Sequence, residues 1–349
     1  MSNILVDLHR TGGNSYNGLY HFCFELGKQL ALEAPGDMHL HFYVPKAQRY
    51  VFGDSVDYVT QYGLHKYFHQ LTSRFDVWHV ATTLSWYRPY GNKTKNIYTI
   101  HDLNFLQEEE YSPSVRNRYL SLIQQRIERA DYLTFISEFA HKQAQEYLEP
   151  GKKPFSIIYN GCNIPEKDVD SPTYVPDKPF LFSIGQFHSR KNFHVLPALL
   201  VGNNYELIIA GMNDFPYRDK VIKEATSLGV ADRLKLIGAI GQDEKFWYYK
   251  NCLAFVFPSI GEGFGLPVLE AMYFGKPVFL SRLTSLPEVG GDAAYYFDNF
   301  EPACMKAVFE NGMHHYQCTS PQQKIMDQAR KFSWKNSADE YLNVYRKFL

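Results

Sequence analysis

Short apolar runs and amphipathic stretches alternate along almost the whole chain. An apolar run of strand length at residues 4–8 is followed by residues 16–32, where apolar positions recur at helical spacing. The same two patterns predict strands at 39–44, 77–80, 97–101, 132–136 and 155–159, and helices at 116–130 and 137–148. Ser137 is the predicted N-cap of its helix, because a serine oxygen accepts hydrogen bonds from the first backbone amides.

The alternation stops at residues 160–179 and then resumes. This segment carries three prolines and several acids without periodicity, which is typical of a linker. Beyond it, strands are predicted at 180–184, 206–210, 234–237, 254–257 and 278–280, with helical segments between them. Residues 335–349 are predicted as a final helix.

Strand–helix alternation on both sides of a linker predicts an α/β protein with two doubly wound parallel sheets. We assign residues 1–165 to the first domain and 166–334 to the second, with the helix at 335–349 crossing back onto the first. A chain of 349 residues suits two such domains. Ligands bind outside the carboxyl ends of the strands in these sheets, so motifs at those ends are the candidates for function.

Composition narrows the class of protein. A net charge of −1 argues against a nucleic-acid partner. Five cysteines without a CxxC pair disfavour a disulfide framework or a zinc cluster, and fit reduced thiols in the cytoplasm. No stretch of about 20 apolar residues is present, and the first residues lack the apolar core of a signal peptide. Without HExxH or a close His/Asp set in the sequence, we expect no metal site.

The strongest chemical signal is a glycine-bearing loop between a strand and a helix, at residues 257–272. The glycines are Gly261, Gly263 and Gly265. Pro267 is predicted to be the first helical residue, a position that tolerates proline. The backbone amides of Phe264, Gly265 and Leu266 would then point out of a helix N-terminus, which favours anions and phosphate above all.

Two acids, Glu262 and Glu270, flank this loop. A carboxylate accepts two hydroxyl hydrogen bonds, which suits a ribose diol or a pair of sugar hydroxyls. The alternative is that both are solvated acids, one in a loop and one on a helix surface.

Arg190 and Lys191 follow a predicted strand that ends at Gly185. Two adjacent cations at a strand's carboxyl end can neutralise a diphosphate, and could stabilise a departing nucleoside diphosphate without a metal. The alternative is an exposed basic loop.

The first half of the chain offers weaker candidates. His101 ends a predicted strand and could bind a transferred sugar, although a lone histidine is often structural. Gly12 and Gly13 follow the first strand and would permit close approach of a ligand, or form a flexible turn. Their segment is not GxGxxG, which counts against dinucleotide binding. The cationic positions Arg116, Arg118, Arg126, Arg129, Lys142, Lys152 and Lys153 form either a solvated face or a surface for anionic lipid.

At these residues the sequence resembles glycosyltransferase family 4, the large retaining family of the GT-B fold. EGFGLPVLE, at 262–270, is similar to the family's acid–seven–acid motif. FSIGQFHSRKN, at 182–192, is similar to its phosphate-binding loop, and TIHDLNF, at 99–105, to the segment that carries its active-site histidine. Further similar blocks lie at 158–163, 285–298 and 332–342.

The resemblance implies a role for each matching residue. Glu270 would bind the donor ribose, and Glu262 the donor sugar. Arg190 and Lys191 would hold the diphosphate, and His101 would lie beside the anomeric carbon. The other donor-site positions implied are Gly12, Gly13, Gly185, Gly238, Ala239, Ile240, Phe264, Gly265 and Leu266.

The implied activity is retaining transfer of a sugar from a nucleoside diphosphate sugar to a glycan or lipid-linked acceptor, without a metal or other cofactor. GDP-mannose is the first expectation for the donor, and surface polysaccharide or lipopolysaccharide assembly for the role. The enzyme would be cytoplasmic, with peripheral contact at the inner face of the membrane through the first domain as an option. Gln186 departs from the family, in which many members carry arginine directly after the glycine.

Three other functions fit a chain of this kind. One is a sugar-nucleotide epimerase of similar fold, which would need no acceptor. Another is a non-catalytic glycan-binding or scaffold subunit. The third is an NAD-dependent oxidoreductase, which the missing dinucleotide fingerprint disfavours.

Overall fold

The structure, a computed structural model, describes residues 2–12, 18–66, 74–85, 87, 93–108, 111–164, 172–212 and 216–349. The chain forms two units. The first unit comprises residues 1–106, 111–161 and 332–349, and the second unit comprises residues 107–110 and 162–331. The sequence places the divisions at 165 and 334 instead, and the roles that it assigns to the two domains stay predictions.

The first unit is built on a parallel sheet. Its strands are β1 (Ser2–Asp7), β2 (Met38–Val44), β3 (Asp57–Thr60), β4 (Val77–Val80), β5 (Lys95–Ile100), β6 (Tyr132–Phe135) and β7 (Phe155–Ile157). Their order is β3-β2-β1-β4-β5-β6-β7, and every pairing is parallel. The helices of this unit that precede the linker are α1 (Gly18–Glu33), α2 (Pro113–Arg129) and α3 (Glu138–Tyr147). The predicted cap is confirmed, since Ser137 accepts a hydrogen bond from the Ala140 amide.

The second unit repeats the plan with six parallel strands. They are β8 (Phe180–Ile184), β9 (Glu206–Ala210), β10 (Leu234–Gly238), β11 (Ala254–Phe257), β12 (Val278–Ser281) and β13 (Tyr295–Phe297), in the order β10-β9-β8-β11-β12-β13. Its helices are α4 (Tyr217–Ser227), α5 (Gln242–Asn251), α6 (Leu266–Tyr273), α7 (Leu286–Gly290), α8 (Pro302–Thr319) and α9 (Gln322–Arg330). The prediction of two doubly wound parallel sheets is confirmed.

Short 3-10 helices connect many of these elements. They lie at His9–Gly12, Lys46–Gln48, Gly63–Lys66, Asn104–Leu106, Ser189–Lys191, Phe193–Leu200, Ala231–Arg233 and Gly291–Ala293. One predicted start is wrong by a residue, because α6 begins at Leu266 and Pro267 is its second residue. Within the described part of the chain, no helix is both long and apolar enough to cross a membrane.

The final helix, α10 (Trp334–Arg346), belongs to the first unit, where it packs against α1. Tyr345 on this helix lies 2.7 Å from Nδ1 of His79, and Nε2 of His79 lies 2.7 Å from the Thr99 hydroxyl. The His79 ring also stacks on Tyr341, with 4.8 Å between ring centroids. A buried polar chain therefore joins α10 to strands β4 and β5. It was not foreseen, because its members are far apart in sequence.

The basic residues of α2 do not share one face. Arg126 is buried, and its guanidinium donates a hydrogen bond to the carbonyl of Thr83 at 3.1 Å. Lys153 donates to the carbonyls of Glu128 and Ala130, next to the C-terminus of α2. Because Arg126 is buried, it belongs neither to a solvated face nor to a surface for anionic lipid. Arg118, Arg129, Lys142 and Lys152 are exposed.

The sequence has no close His/Asp set, but the fold brings one together in space. His39, His41 and Asp57 place one ligand atom each within 4.8 Å of one another. The set was not foreseen because it depends on β3, which was not predicted. Its residues, DYVT, do not form an apolar run, so the strand was not recognised and Asp57 could not be placed beside β2.

Candidate active site

The order of strands in the second unit places a crevice between β8 and β11. Successive strands are added on one side of β8, as β9 and β10, and then on its other side, as β11, β12 and β13, which is the order of a doubly wound sheet with its switch point between β8 and β11. Ligands bind outside the carboxyl ends of the strands at such a point. The loop that carries Arg190 and Lys191 follows β8, and the glycine loop follows β11. The two strongest motifs of the sequence therefore meet at one place.

Glu262 and Lys191 form a buried ion pair between these two loops. Nζ of Lys191 lies 2.6 Å from Oε1 of Glu262, and about a tenth of each side chain is exposed. The Ser259 hydroxyl donates to the same oxygen at 2.5 Å. Burial by itself would raise the pKa of Glu262, but Lys191, Arg190 and these hydrogen bonds outweigh it and hold the pKa below its usual value. Glu262 is therefore a carboxylate at neutral pH.

The second oxygen of Glu262 is differently placed. Within the described ranges, the hydrogen bonds of this carboxylate all go to Oε1, and Oε2 receives none. A carboxylate oxygen has two lone pairs and binds hydroxyl groups well. Oε2 is thus an acceptor that a sugar hydroxyl can use. The alternative that Glu262 is a solvated loop acid is wrong, since only 8% of the residue is exposed.

Arg190 links the two loops through both its side chain and its backbone. Its NH1 donates to the carbonyl of Gly261 at 2.8 Å, and its Nε lies 3.1 Å from Oε1 of Glu108. Its own carbonyl accepts from the Ile260 amide and lies 3.0 Å from the Ser259 hydroxyl oxygen. The alternative of an exposed basic loop is wrong, because Lys191 is buried and Arg190 is held by these contacts. As the cluster stands, its two cations are balanced by Glu108 and Glu262.

Gly185 leaves room for a lysine stem in this site. A Cβ atom at this position would lie 3.1 Å from Cε of Lys191. The backbone φ angle of +153° is also one that residues other than glycine rarely adopt. On the other side, the Lys191 ammonium lies 4.8 Å from the centre of the Phe257 ring. Glycine below and an aromatic face above therefore fix the ammonium next to Glu262.

Glu270 lies in a second polar cluster of the same unit and is 2% exposed. Its Oε1 accepts from Nζ of Lys245 at 2.6 Å and from Nδ2 of Asn163 at 2.9 Å, while its Oε2 accepts from the Tyr249 hydroxyl at 3.0 Å. Burial and the neighbouring carboxylate raise the pKa of Tyr249 well above its usual value, so the phenol stays a donor. The alternative of a helix-surface acid is wrong for Glu270 as well.

Sequence reasoning missed the partners of Glu270. Lys245 lies on α5 and Asn163 in the linker, and nothing in their local sequence connects them to α6. A carboxylate has about four acceptor positions, and these three donors use three of them. One position on Oε2 is left for a ligand hydroxyl. A ribose diol bound through both of its hydroxyls would have to displace one of the donors.

The N-terminus of α6 is shaped by glycine. Gly265 precedes the helix with φ +117°, and a Cβ atom there would lie 3.0 Å from Leu286. The Ser285 hydroxyl lies within hydrogen-bond distance of the carbonyls of Glu262 and Phe264, at 3.1 and 2.7 Å. These contacts fix the backbone from Phe264 to Leu266. Whether its amides bind phosphate stays a prediction.

The remaining predicted positions of the second unit lie at the end of β10. Gly238 is the last residue of this strand, and its φ of +75° favours glycine. Its carbonyl accepts a hydrogen bond from the Gly211 amide at 2.7 Å, which joins the ends of β9 and β10. Ala239 is exposed and Ile240 is buried. Their predicted place near the donor base is compatible with this edge of the sheet and stays a prediction.

His101 of the first unit is a buried, neutral imidazole. It follows β5, its Nε2 lies 2.8 Å from the carbonyl of Ala81, and its ring meets Phe22 edge-on. Since a carbonyl only accepts, Nε2 carries the proton and Nδ1 keeps its lone pair. Burial lowers the pKa of His101 to about 4, against the effect of the Ala81 carbonyl. The side chain can therefore accept a hydrogen bond at neutral pH but is not a general acid.

A buried acid at the end of β1 was not among the predicted site residues. Asp7 is fully buried, with Nδ1 of His9 at 2.8 Å and the Ser85 hydroxyl at 2.6 Å. An acid in the last position of a buried strand was the signal that could have identified it. Gly12 follows in the 3-10 helix after β1. A Cβ atom there would clash with Pro45, so glycine is needed at this position for packing. Gly13 lies outside the described residues.

Comparison with known proteins identifies the second unit. Residues 166–311 match the family model for glycosyl transferases group 1. O-antigen chain mannosyltransferase B of Escherichia coli is 27% identical over 279 residues, which cover 72% of this chain and 70% of that protein. Serotype-specific mannosyltransferase WbdA of Escherichia coli is 29% identical over 279 residues, covering 73% of this chain but only 34% of that protein. The chain thus spans about a third of the length of this second relative.

Solved structures share the fold of the whole chain. Sucrose-phosphate synthase from Thermosynechococcus elongatus superposes with a TM-score of 0.76 at 16% identity, covering 99% of each chain. Anabaena Alr3699/HepE, in complex with UDP and glucose, gives a TM-score of 0.74 at 14% identity, covering 99% of this chain and 100% of that one. These likenesses confirm the GT-B class of fold that the sequence predicted. The matched segment, residues 166–311, is a glycosyl transferases group 1 domain.

Proposed function

We propose that the protein is a retaining hexosyltransferase, which moves a sugar from a nucleoside diphosphate sugar to a glycan or lipid-linked acceptor. The observation that carries this proposal is the pair of buried carboxylates, Glu262 and Glu270, each held by a lysine and each with an acceptor position to spare. Removing two such ion pairs from water is costly, so their presence favours a functional role for the carboxylates. In this proposal, Glu262 binds a hydroxyl of the donor sugar through Oε2, and Glu270 binds one ribose hydroxyl.

The leaving group sets a further requirement. A nucleoside diphosphate departs with negative charge, and cations or a helix N-terminus near it lower the barrier. The Lys191 ammonium lies beside Glu262, in the loop that follows the carboxyl end of β8. Arg190 lies on the same loop as Lys191, and the N-terminus of α6 follows the neighbouring glycine loop. We propose that these groups hold the diphosphate in place of a metal ion, and that no cofactor is needed.

His101 fits a role at the sugar. Its neutral ring offers Nδ1 as an acceptor, so we propose that it takes a hydrogen bond from a hydroxyl of the transferred sugar. Retention of configuration then follows from attack on the face that the leaving phosphate vacates. In this scheme a phosphate oxygen takes the acceptor's proton.

GDP-mannose is our proposed donor. Both Escherichia coli relatives are mannosyltransferases by name, and a relative from Komagataeibacter xylinus, 24% identical over 201 residues, is named for GDP-mannose and a diphosphopolyprenol acceptor. We extend the same reasoning to the biological role and propose assembly of a surface polysaccharide such as O-antigen. The acceptor would be lipid-linked, and the site of action the inner face of the membrane.

The test is a thermal-shift screen with GDP, UDP, TDP, ADP and NAD, followed by a transfer assay. A ligand that binds the folded state raises the melting temperature by mass action. We expect GDP to give the largest shift without added metal, and GDP-mannose to be consumed only when an acceptor is present. Consumption without an acceptor would favour an epimerase, a shift with NAD alone an oxidoreductase, and ligand binding without turnover a non-catalytic subunit. The anomeric proton signal of the product tests retention.

A further inference from the structure

A cluster of metal-binding side chains lies in the first unit, on the sheet edge formed by β2 and β3. His39 and His41 are alternate residues of β2 and point to the same face, away from the buried Leu40 and Phe42. Asp57 is the first residue of β3 and is paired with His41 in the parallel register. Three side chains are therefore brought together by backbone pairing, which is a rigid framework.

The distances suit one small cation. Oδ2 of Asp57 lies 3.0 Å from Nε2 of His39 and 3.7 Å from Nδ1 of His41. Zinc binds nitrogen and oxygen at about 2.0–2.2 Å in tetrahedral geometry, which separates its ligand atoms by roughly 3.4 Å. The two observed distances lie on either side of this value, and all three ligand atoms lie within 4.8 Å of one another, so modest shifts of these side chains would bring them to this spacing.

A neighbouring residue orients the inner histidine as metal sites require. Nε2 of His41 lies 3.1 Å from Oδ1 of Asn3 on β1, an oxygen that can only accept. The proton of His41 is therefore on Nε2, and the lone pair of Nδ1 faces Asp57. A lone pair directed at a carboxylate is unfavourable unless a proton or cation lies between them. Histidines that bind metals usually donate their other N–H to such a group.

We propose that His39, His41 and Asp57 bind one divalent transition-metal ion of the zinc class, with water as the fourth ligand. Two imidazoles and one carboxylate bind zinc in preference to calcium or magnesium, because those two ions favour oxygen ligands. His39 and Asp57 are 40% and 61% exposed in their side chains, so an ion can enter from solvent. The ion would link the edge strand β3 to β2 and stabilise this end of the sheet.

The site is separate from the candidate active-site groups of its own unit. His39 is the second residue of β2 and Asp57 the first of β3, so the cluster lies at the amino end of these strands. His101 follows β5 and so lies at the carboxyl end of the strands of the same parallel sheet. Metal binding therefore has a structural purpose in this proposal, and sugar transfer does not depend on it.

The test is calorimetric titration of the full chain with zinc chloride, after treatment with a chelator and its removal. The wild-type protein should bind one ion, and His39→Gln and Asp57→Asn should each weaken binding more than 10-fold. Asn3→Ala should weaken it by about 10-fold, as losses of partners beyond the metal's own ligands commonly do. Zinc should raise the melting temperature of the wild type but not of Asp57→Asn.

The matched control is His314→Gln. His314 and Cys318 lie 3.6 Å apart on α8 of the second unit and offer another exposed pair of zinc ligands. The control should leave the affinity unchanged. Equal melting temperatures of metal-free wild type and Asp57→Asn would show that the variant is folded. The proposal is overturned if the wild type binds no zinc, if His39→Gln binds as tightly as the wild type, or if His314→Gln removes the binding.

Discussion

Two lysine–glutamate pairs are the most consequential residues of the second unit. Glu262 with Lys191 and Glu270 with Lys245 are each separated by 2.6 Å and largely removed from water. A buried carboxylate without its cation is strongly unfavourable, so removing one member of either pair destabilises the folded state. The same enclosure that strengthens these charges leaves one acceptor position on each acid for a ligand.

Removing one member of a pair should therefore cost more than removing both. We expect Lys191→Met to lower the free energy of unfolding by about 3–5 kcal/mol, because Glu262 is left buried without its nearest cation. The double variant Lys191→Met/Glu262→Gln should recover most of that loss. Urea denaturation of the three proteins measures both effects.

Arg282→Met is the control for this experiment. Arg282 and Asp298 form an ion pair of similar length, 2.7 Å, but both side chains are more than half exposed. Breaking it should cost at most about 1 kcal/mol. A loss for Lys191→Met no larger than for Arg282→Met would show that the Glu262 pair is not buried as described.

His101 should make stability depend on pH. Burial lowers its pKa to about 4 in the folded chain, so between pH 6.5 and 4 the unfolded state binds a proton that the folded state does not. The free energy of unfolding is therefore not reduced by His101 above pH ~6.5, and it decreases as the pH falls toward 4, because protonation stabilises only the unfolded state. His101→Asn should reduce the slope of unfolding free energy against pH by about 1.4 kcal/mol per pH unit in this range. Urea titrations at several pH values measure the slope, and an unchanged slope would contradict the buried neutral imidazole.

At the scale of elements, the polar chain through His79 fixes α10 to the sheet of the first unit. Tyr345→Phe removes the hydroxyl that lies 2.7 Å from Nδ1 of His79 and leaves that nitrogen buried without its partner. We expect a loss of about 1–3 kcal/mol in the free energy of unfolding. Tyr147→Phe changes an exposed tyrosine of α3 and should have no measurable effect. Equal stabilities of the two variants would show that the contact is not formed.

Elements with strong periodicity were predictable, and those defined by their neighbours were not. Strands β8, β9 and β11 lie where their apolar runs placed them, because a strand buried on both faces needs apolar residues throughout. β3 was missed because its polar residues suit an edge position that only the neighbouring strand defines. The start of α6 shifted to Leu266, since Gly265 is in the left-handed conformation and ends the loop.

The same distinction holds for the candidate site. Glu262, Glu270, Arg190 and Lys191 were recognisable because glycines and cations that follow strand ends are typical of anion-binding loops. Lys245, Asn163 and Asp7 were not, because their importance comes from partners far away in sequence. Lys245 and Glu270 are in contact because α5 packs against α6 in the folded unit. Local sequence patterns carry no information about such contacts.

At the scale of the molecule, two units of one architecture divide the chain. The family match falls within the second unit at residues 166–311, and both candidate carboxylates lie inside that segment. The first unit carries His101, the buried Asp7 and the proposed metal site. We therefore assign the donor to the second unit and the choice of acceptor to the first, as a proposal that acceptor assays on variants of each unit can test.

The central claim is that the second unit binds a nucleoside diphosphate sugar through its buried carboxylates. Titration calorimetry with GDP-mannose, on wild type, Glu270→Gln and Glu310→Gln, tests it most directly. Glu310 is an exposed acid of α8 and serves as the control. We predict that Glu270→Gln binds at least 10-fold more weakly, while Glu310→Gln binds like the wild type. If wild type and Glu270→Gln bind the donor equally, or if neither binds any nucleoside diphosphate sugar, the account of this site is wrong.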